Sequence, residues 1–289
     1  DEATSHRVLD VYTGQGGTFI DTADGYSAWA DGNVGGESET IIGSWLRRRG
    51  RRDDVVIATK VSTKPGRTGL APGNVRTALE ESLTRLGTDY VDLYYAHFDD
   101  PNTPLEETVA VFEELRAAGK TRYVALSNYA PQRIEQWCAI AASMGAQPPV
   151  ALQPHYNLLH RGDVEGPGNR GEVAAAHDMG LVPYFSLAAG FLTGKYRQGE
   201  AATTARSSMV AEYLRPECFA VVEALREIAA AHATQPAAVA LAWLRDRPGV
   251  VAPLASARTV DQLAPILEAL TLELAPQETD RLTLLSDAV

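Results

Sequence analysis

Short apolar runs of strand length alternate with longer stretches of helical period along almost the whole chain. The helical stretches carry apolar residues at every third or fourth position, as Val75, Leu79 and Leu83 do in residues 74–86. We predict strands over residues 18–20, 55–59, 90–96, 120–128, 150–154, 181–186 and 250–254. We predict helices over residues 2–12, 74–86, 104–118, 131–144, 171–179, 217–232, 236–245 and 260–270. Because strands and helices alternate, the sheet is expected to be parallel.

Breaker residues agree with these boundaries, since glycines such as Gly87 and Gly145 follow predicted helices and Pro104 and Pro131 begin them. No linker, low-complexity tract or long repeat interrupts the pattern, so we expect one domain over residues 1–289. Residues 199–209, rich in Ala, Thr and Ser, are predicted as a long loop. About seven strands are predicted. An eight-stranded barrel needs one more, so we expect a further stretch upstream of Asp1.

Polar side chains close three of the predicted strands or follow them closely. Asp21 and Tyr26 follow the first run, Lys60 closes the second and His97 closes the third. In a parallel sheet all four emerge at the same edge, where barrel enzymes have their active sites. Taken singly, an Asp in the position of Asp21 is more often a cap or turn former, and a Tyr such as Tyr26 is more often a core or surface aromatic. Their shared edge favours a catalytic group.

Composition narrows the classes of partner. The formal charge of -11 over 289 residues argues against nucleic acid and against an anionic membrane surface, both of which attract basic proteins. No apolar run approaches the roughly 20 residues of a membrane span, and the start lacks a signal-peptide pattern, so we expect a cytoplasmic protein. Cys138 and Cys218 lack nearby Cys or His partners, so no metal site is predicted.

Several separated motifs resemble those of the aldo-keto reductases. They are the run from Asp21 to Tyr26, Gly35 to Glu39, Ile57 to Lys60, Asp92 to His97, Ser127 to Tyr129, Gln153, Tyr184 to Lys195 and Ala255 to Thr259. The motifs occur in the family's order and cover nearly the whole chain. The resemblance implies a (β/α)8 TIM barrel, α/β in class, that binds NADPH, or less often NADH, and reduces aldehydes or ketones. The chain has no G-x-G-x-x-G after a strand, which is consistent with a fold other than Rossmann.

Asp21, Tyr26, Lys60 and His97 match the family's catalytic tetrad position by position. A carbonyl that accepts hydride at carbon develops negative charge on oxygen, and Tyr26 is the candidate proton donor. A free phenol has a pKa of roughly 10, and we expect the Lys60 ammonium to lower it. Asp21 is expected to keep Lys60 charged, and His97 to donate a hydrogen bond to the carbonyl oxygen.

The resemblance also assigns residues to the cofactor. Ser127, Asn128 and Gln153 match the positions that bind the nicotinamide carboxamide, and Tyr184 matches the aromatic that stacks on the ring. The pyrophosphate loop corresponds to Ser186, Leu187, Gly190, Leu192, Gly194 and Lys195. Ser256, Arg258 and Gln262 correspond to the 2'-phosphate site, at the predicted start of helix 260–270, and favour NADPH over NADH. Ile266 stands where the family usually has an Asn that contacts the adenine.

Substrate contacts are expected from Trp29, Phe98 and His155, which lie in segments that follow predicted strands. A small carbonyl compound is the expected partner, while its identity and the oligomeric state stay open. Two alternatives also remain. One is a TIM-barrel lyase or isomerase in which Lys60 forms a Schiff base. The other is an NADPH-binding sensor that associates with a partner protein, as the potassium-channel beta subunits of this superfamily do.

Overall fold

The computed structural model describes residues 1–199 and 207–289. Most of the loop predicted over residues 199–209 therefore lies outside the described residues. By backbone contacts the chain divides into two compact units. The first comprises Asp1–Gln153 and Val173–Gly180, and the second comprises Pro154–Glu172 and Leu181–Val289.

The first unit alternates helices with strands. Its elements are α1 (Glu2–Gly14), β1 (Phe19–Asp21), α2 (Glu37–Arg49), β2 (Val56–Val61), β3 (Thr63–Lys64), β4 (Arg67–Thr68), α3 (Pro72–Leu86), β5 (Val91–Ala96), α4 (Leu105–Ala117), β6 (Thr121–Ser127), α5 (Pro131–Met144) and β7 (Ala151–Gln153). Along the chain, α6 (Arg170–Ala176) and β8 (Gly180–Leu181) cross the division between the units. The predicted helices and strands of this unit are confirmed to within a few residues at their ends.

Six strands form one sheet in the order β1-β2-β5-β6-β7-β8. The four neighbour pairs from β1 to β7 are all parallel, which confirms the predicted direction. Their register pairs Asp21 with Ala58, Lys60 with Tyr95, and Ser127 with Gln153. The carboxyl ends of these strands therefore lie at one edge, and the polar residues predicted there share it.

Helix α3 illustrates how the pattern produces the packing. Its buried face includes Val75, Leu79 and Leu83, the residues of the predicted apolar stripe. Pro72 stands in the first turn, where no N–H donor is needed, and Gly87 ends the helix at φ 67°. Burying that stripe stabilises a helix that would be marginal alone in water.

The hairpin of β3 and β4 is absent from our sequence predictions. It pairs Thr63 with Thr68 and Lys64 with Arg67 in antiparallel register. The connecting residues are Pro65 and Gly66, and Gly66 has φ 77°, which favours glycine. A Pro-Gly pair between short polar runs is a turn signal, although strands of two residues leave no periodic pattern to detect.

The second unit contains α7 (Ser207–Val210), α8 (Pro216–Ala231), α9 (Pro236–Arg245), α10 (Ala264–Glu268) and α11 (Pro276–Ser286), with 3-10 helices at Ala188–Thr193 and Ala211–Tyr213. The strand predicted over 181–186 is present only as the short β8, which ends at Leu181, and the strand predicted over 250–254 is wrong as a regular strand. Leu181 forms an isolated parallel bridge with Val250, and Tyr184 forms one with His155. Pro183 and Pro253 lack the N–H that a continuous ladder requires.

The helix predicted over 260–270 is also wrong in extent, because α10 begins only at Ala264 and has five residues. Pro265 fits the first turn of α10 and would break a helix that started several residues earlier. Helix α11 was not predicted, although Pro276 in its first turn and Glu278, which accepts a hydrogen bond from the Ala275 amide at 2.8 Å, are ordinary start signals. In the part of the chain that the structure describes, no helix is long and apolar enough to cross a membrane.

Candidate active site

Three neighbouring strands of the first unit bring Asp21, Tyr26, Lys60 and His97 together. Asp21 is the last residue of β1, Lys60 lies in β2, and His97 directly follows β5. Tyr26 lies in the segment after β1, where its amide donates to the Ala23 carbonyl at 3.2 Å. The parallel register therefore produces the cluster that the sequence predicts.

Lys60 lies at the centre of this cluster and is fully buried. Its ammonium donates to Asp21 Oδ2 at 2.5 Å, to the Thr22 carbonyl at 2.8 Å and to the Tyr26 hydroxyl at 3.0 Å. Three acceptors match the three protons of an ammonium. Burial lowers the pKa of Lys60, but attraction to Asp21 and Tyr26 and hydrogen bonds to both outweigh burial, so the pKa is raised. Lys60 is therefore a charged group at neutral pH.

Tyr26 departs from the expectation that Lys60 lowers its pKa below the ordinary value. Burial raises the pKa of the phenol, and Lys60 opposes this effect without reversing it, so the pKa lies above 10.0. The sequence reasoning counted the ammonium but had no measure of desolvation. The hydroxyl consequently carries its proton at neutral pH, as a proton donor must.

His97 is a neutral imidazole. Burial and then the charge of Lys60 lower its pKa to about 3. Its ring centroid lies 6.0 Å from that of Tyr26, and its Nδ1 lies 3.4 Å from Thr63 Oγ1. A neutral ring carries one N–H, and a Thr63 hydroxyl that donates to Nδ1 would leave this proton on Nε2. Thr63, in the unpredicted hairpin, is a neighbour that sequence reasoning missed.

Gln153 adds a contact that the sequence does not reveal. Its Nε2 donates to Asp21 Oδ1 at 2.9 Å, so both oxygens of this carboxylate are engaged. Ser127 Oγ donates to the Gln153 carbonyl at 3.0 Å, and Asn128 Nδ2 donates to Ser127 Oγ at 3.0 Å and to the His97 carbonyl at 3.1 Å. The three residues predicted for the carboxamide are thus linked to one another and to two members of the tetrad.

Two aromatic side chains extend from the cluster toward solvent. Trp29 is 77% exposed and meets the Tyr26 ring edge-on, with centroids 5.8 Å apart. Phe98 is 45% exposed and stacks on His97 at 5.0 Å. Exposed aromatics beside a half-buried phenol offer an apolar contact surface. His155 belongs to the second unit, where it stacks on His160 at 3.9 Å and on Tyr184 at 5.4 Å.

The family model for the "Aldo/keto reductase family" matches residues 1–287. The chain belongs to the aldo/keto reductase family. It is 33% identical over 302 residues to "Protein tas" of Escherichia coli (strain K12), covering 95% of this chain and 86% of that protein. It is 34% identical to "Uncharacterized oxidoreductase YrpG" of Bacillus subtilis (strain 168), covering 95% and 84%. It is 29% identical to "Probable voltage-gated potassium channel subunit beta" of Oryza sativa subsp. japonica, covering 98% and 87%.

Family membership confirms the resemblance and the predicted fold class, because aldo/keto reductases are (β/α)8 barrels. Members of the family are generally oxidoreductases that use NAD(P)H and act on small carbonyl compounds. The roles of individual residues in this chain stay predictions.

The second unit contains the segment that the sequence resemblance predicts to bind the pyrophosphate. Ser186 is buried and donates to the Pro183 carbonyl at 3.1 Å, while Leu187 packs on the cluster of Ala238, Leu241 and Ala269. The buried side chains of Phe191 and Leu192 hold the following 3-10 helix in place. The loop is therefore held in place by its apolar residues.

Gly190 and Gly194 give this loop its shape. Their φ angles are 95° and 76°, which favour glycine, and a Cβ on Gly190 would come within 3.2 Å of Lys195 Nζ. Arg226 Nη2 donates to the Gly194 carbonyl at 2.5 Å and so supports the loop from α8. Glycines allow a phosphate group to approach the backbone closely, and the Lys195 ammonium beside Gly190 adds a positive charge, so these residues fit a pyrophosphate.

The residues assigned to the 2'-phosphate lie in a different backbone context from the one predicted. Ser256, Arg258 and Gln262 are exposed and precede α10, and the Arg258 amide donates to Gln262 Oε1 at 2.9 Å. The helix start expected at Val260 is absent, because α10 begins only at Ala264, so the Arg258 guanidinium is the feature left to support phosphate binding there. Ile266 is partly buried and packs on the cluster of Ala238, Leu241 and Ala269, an apolar role that an Asn could not fill.

Proposed function

We propose that this chain is an NADPH-dependent reductase of aldehydes or ketones in which Tyr26 donates the proton. The observation that carries this proposal is the buried Lys60 ammonium, 2.5 Å from Asp21 Oδ2 and 3.0 Å from the Tyr26 hydroxyl. A lysine is almost never fully buried unless it is paired, and buried ion pairs of this kind are concentrated at functional sites. The pair beside the Tyr26 phenol therefore favours a catalytic role.

The chain's own residues divide the work at the carbonyl oxygen. NADPH, when bound, supplies the hydride that reaches the carbonyl carbon. Tyr26 gives its proton to the oxygen as negative charge develops there, and the resulting phenolate is stabilised by Lys60. Asp21 holds Lys60 charged, and neutral His97 donates a hydrogen bond that orients the carbonyl group. The raised pKa of Tyr26 keeps the donor protonated before each turnover.

Cofactor binding is the second role in this proposal. Ser127, Asn128 and Gln153 would hold the carboxamide, Tyr184 would stack on the ring, and Gly190 to Lys195 would bind the pyrophosphate. Ser256, Arg258 and Gln262 would contact the 2'-phosphate, and Arg258 is the reason to favour NADPH over NADH. Trp29, Phe98 and His155 would contact the substrate, which the exposed aromatics suggest is an apolar or aromatic carbonyl compound.

A panel of aldehydes, ketones and keto-sugars with NADPH tests the proposal. We expect repeated turnovers, followed by the loss of nicotinamide absorbance with carbonyl compound in excess. Covalent trapping of substrate on Lys60 by borohydride would instead support the Schiff-base alternative, which the charged state of Lys60 disfavours.

A second candidate is an NADPH-holding module that associates with a partner protein. It is favoured by relatives named as probable potassium channel beta subunits, such as the one from Oryza sativa subsp. japonica. A single turnover with tightly retained NADP+, for every compound in the panel, would favour this candidate over a metabolic reductase.

A further inference from the structure

Asp24 is a buried acid between two members of the tetrad along the chain, yet the chemistry above does not use it. Its amide donates to the Lys60 carbonyl at 3.1 Å, which ties this part of the segment to β2. The residue is fully buried, and among the described residues neither carboxyl oxygen has a hydrogen-bond partner. A buried carboxylate without a donor is costly, so the neutral acid is the favoured form.

The surroundings of Asp24 reinforce this preference. Glu39 of α2, also fully buried, accepts from Arg85 Nε at 2.7 Å and from Thr59 Oγ1 at 2.5 Å. Burial and then the charge of Glu39 raise the pKa of Asp24 to about 7, against the opposing charges of Arg67, Arg85 and Lys64. Tyr94 of β5 is a further titratable group that interacts with Asp24, and its phenol donates to the Val75 carbonyl at 3.2 Å.

The cations near Asp24 are bound to a different acid. Glu81, which is partly exposed, lies 2.6 Å from Arg67 Nη2, 3.4 Å from Arg85 Nη1 and 3.5 Å from Lys64 Nζ. Arg67 Nη1 is buried and has no partner among the described residues. Among the described residues, Arg67 therefore has a buried N–H donor without an acceptor, and Asp24 has two carboxyl oxygens without a donor.

The β3–β4 hairpin, which carries Lys64 and Arg67, also contacts the tetrad. Thr63 Oγ1 lies 3.4 Å from His97 Nδ1. Gly25 packs so closely on the hairpin that a Cβ there would be 2.9 Å from Thr63 Oγ1 and 3.2 Å from the Lys64 amide. A movement of Arg67 toward Asp24 would therefore displace neighbours of both Tyr26 and His97.

We propose that Asp24 is a positioning residue: its neutral carboxyl keeps Tyr26 and the hairpin in the active arrangement, and its ionised form draws Arg67 away from Glu81 and displaces both. The structural part of this inference is independent of the proposed function. Only its effect on turnover depends on Tyr26 acting as the proton donor.

Carbon-13 NMR of wild-type protein labelled at the aspartate carboxyls tests the inference directly. We expect the Asp24 carboxyl to titrate near pH 7 and the amide signals of the hairpin to change with it. Titration below about pH 5, as for an ordinary aspartate, would overturn the proposal. So would hairpin signals that stay constant while Asp24 titrates. Neither outcome depends on turnover.

Variants give a second, independent test. Because folding raises the pKa of Asp24 from 3.8 to about 7, the folded state takes up a proton between these values, and stability should fall as pH rises across that window. In Asp24→Asn this fall should disappear, so the ratio of the variant's folding constant to the wild type's should increase ~500-fold from pH 4 to pH 8 in urea titrations. The exposed Asp89→Asn is the control and should follow the wild type.

Activity then tests the link to Tyr26. We expect wild-type turnover to decline as Asp24 ionises and Asp24→Asn to abolish this decline. Arg67→Gln removes the charge that ionised Asp24 would draw away from Glu81, so the decline should be largely lost in this variant as well. The exposed Arg76→Gln is the control and should leave it in place. A decline that persists unchanged in Asp24→Asn overturns the positioning role. Absence of turnover at every pH instead contradicts the proposed function, and the NMR and urea results then decide the structural inference.

Discussion

Asp21→Asn should separate the chemical role of the buried ion pair from its effect on stability. The substitution keeps the shape of the side chain but removes the only carboxylate that contacts the fully buried Lys60 among the described residues. Removing one partner of a buried pair costs about 3–5 kcal/mol, because the other charge is left without compensation. The Coulomb attraction lost is of similar size, about 4 kcal/mol for charges ~4 Å apart at an effective dielectric constant of ~20.

The pH dependence of Asp21→Asn follows from the sign of the change at Lys60. Without Asp21, burial prevails and the pKa of Lys60 falls below its ordinary value of 10.5, although Tyr26 still interacts with it. The unfolded chain then binds more protons than the folded one, so the loss of stability should be largest near neutral pH and diminish toward pH 10. Activity of the variant should instead decrease as pH rises, because deprotonated Lys60 no longer stabilises the Tyr26 phenolate.

Two measurements on the same protein test this prediction. Urea denaturation and kcat/KM with NADPH are compared between about pH 6 and pH 9, a range below the ordinary lysine pKa. Glu114→Gln, which removes an exposed pair with Arg76, is the control and should change neither profile. An Asp21→Asn protein with wild-type stability and a wild-type pH profile would refute the role assigned to the pair.

Substitutions at three further residues test the other assigned roles. His97→Ala should lower kcat ~100-fold through loss of a hydrogen bond to the developing charge, and His97→Gln, which keeps an N–H, should lose less. Because the pKa of His97 is about 3, an acidic limb near pH 6.5 that vanishes in His97→Gln would contradict its neutral state. Trp29→Ala should raise KM ~10-fold for aromatic carbonyl compounds and little for small aliphatic ones, and equal changes would remove Trp29 from the substrate site. Arg258→Ala should weaken NADPH binding ~10- to 100-fold and NADH binding far less, measured by fluorescence titration, whereas equal losses would mean that Arg258 does not bind the phosphate.

The residues closest to a strand end were the ones that sequence could identify. Lys60 after an apolar strand and His97 after the next one are predictable, because parallel strands bring their carboxyl ends to one edge of the sheet. The bond from Gln153 to Asp21 was not predictable, since it joins residues 132 positions apart and depends on the curvature of the sheet. The Thr63–His97 contact was missed because a hairpin of two-residue strands has no detectable period.

Electrostatics and irregular backbone were the weakest parts of the prediction. Sequence places an ammonium near Tyr26 but does not give the burial that raises the phenol's pKa. Helix α10 was predicted too long because its apolar period extends beyond the point where Pro265 permits a helix. Asp24 resembles any polar turn residue in sequence, and only its burial without a hydrogen-bond donor distinguishes it.

Single-turnover oxidation of bound NADPH in Tyr26→Phe tests the proton-donor role most directly. The variant removes one hydroxyl that contacts Lys60, and NADPH binding should stay nearly unchanged. With a carbonyl compound that the wild type reduces, the rate should fall by several powers of ten, while Tyr123→Phe, at an exposed tyrosine of β6, should keep the wild-type rate. A Tyr26→Phe protein that oxidises NADPH at a rate close to that of the wild type would show that the proton comes from elsewhere.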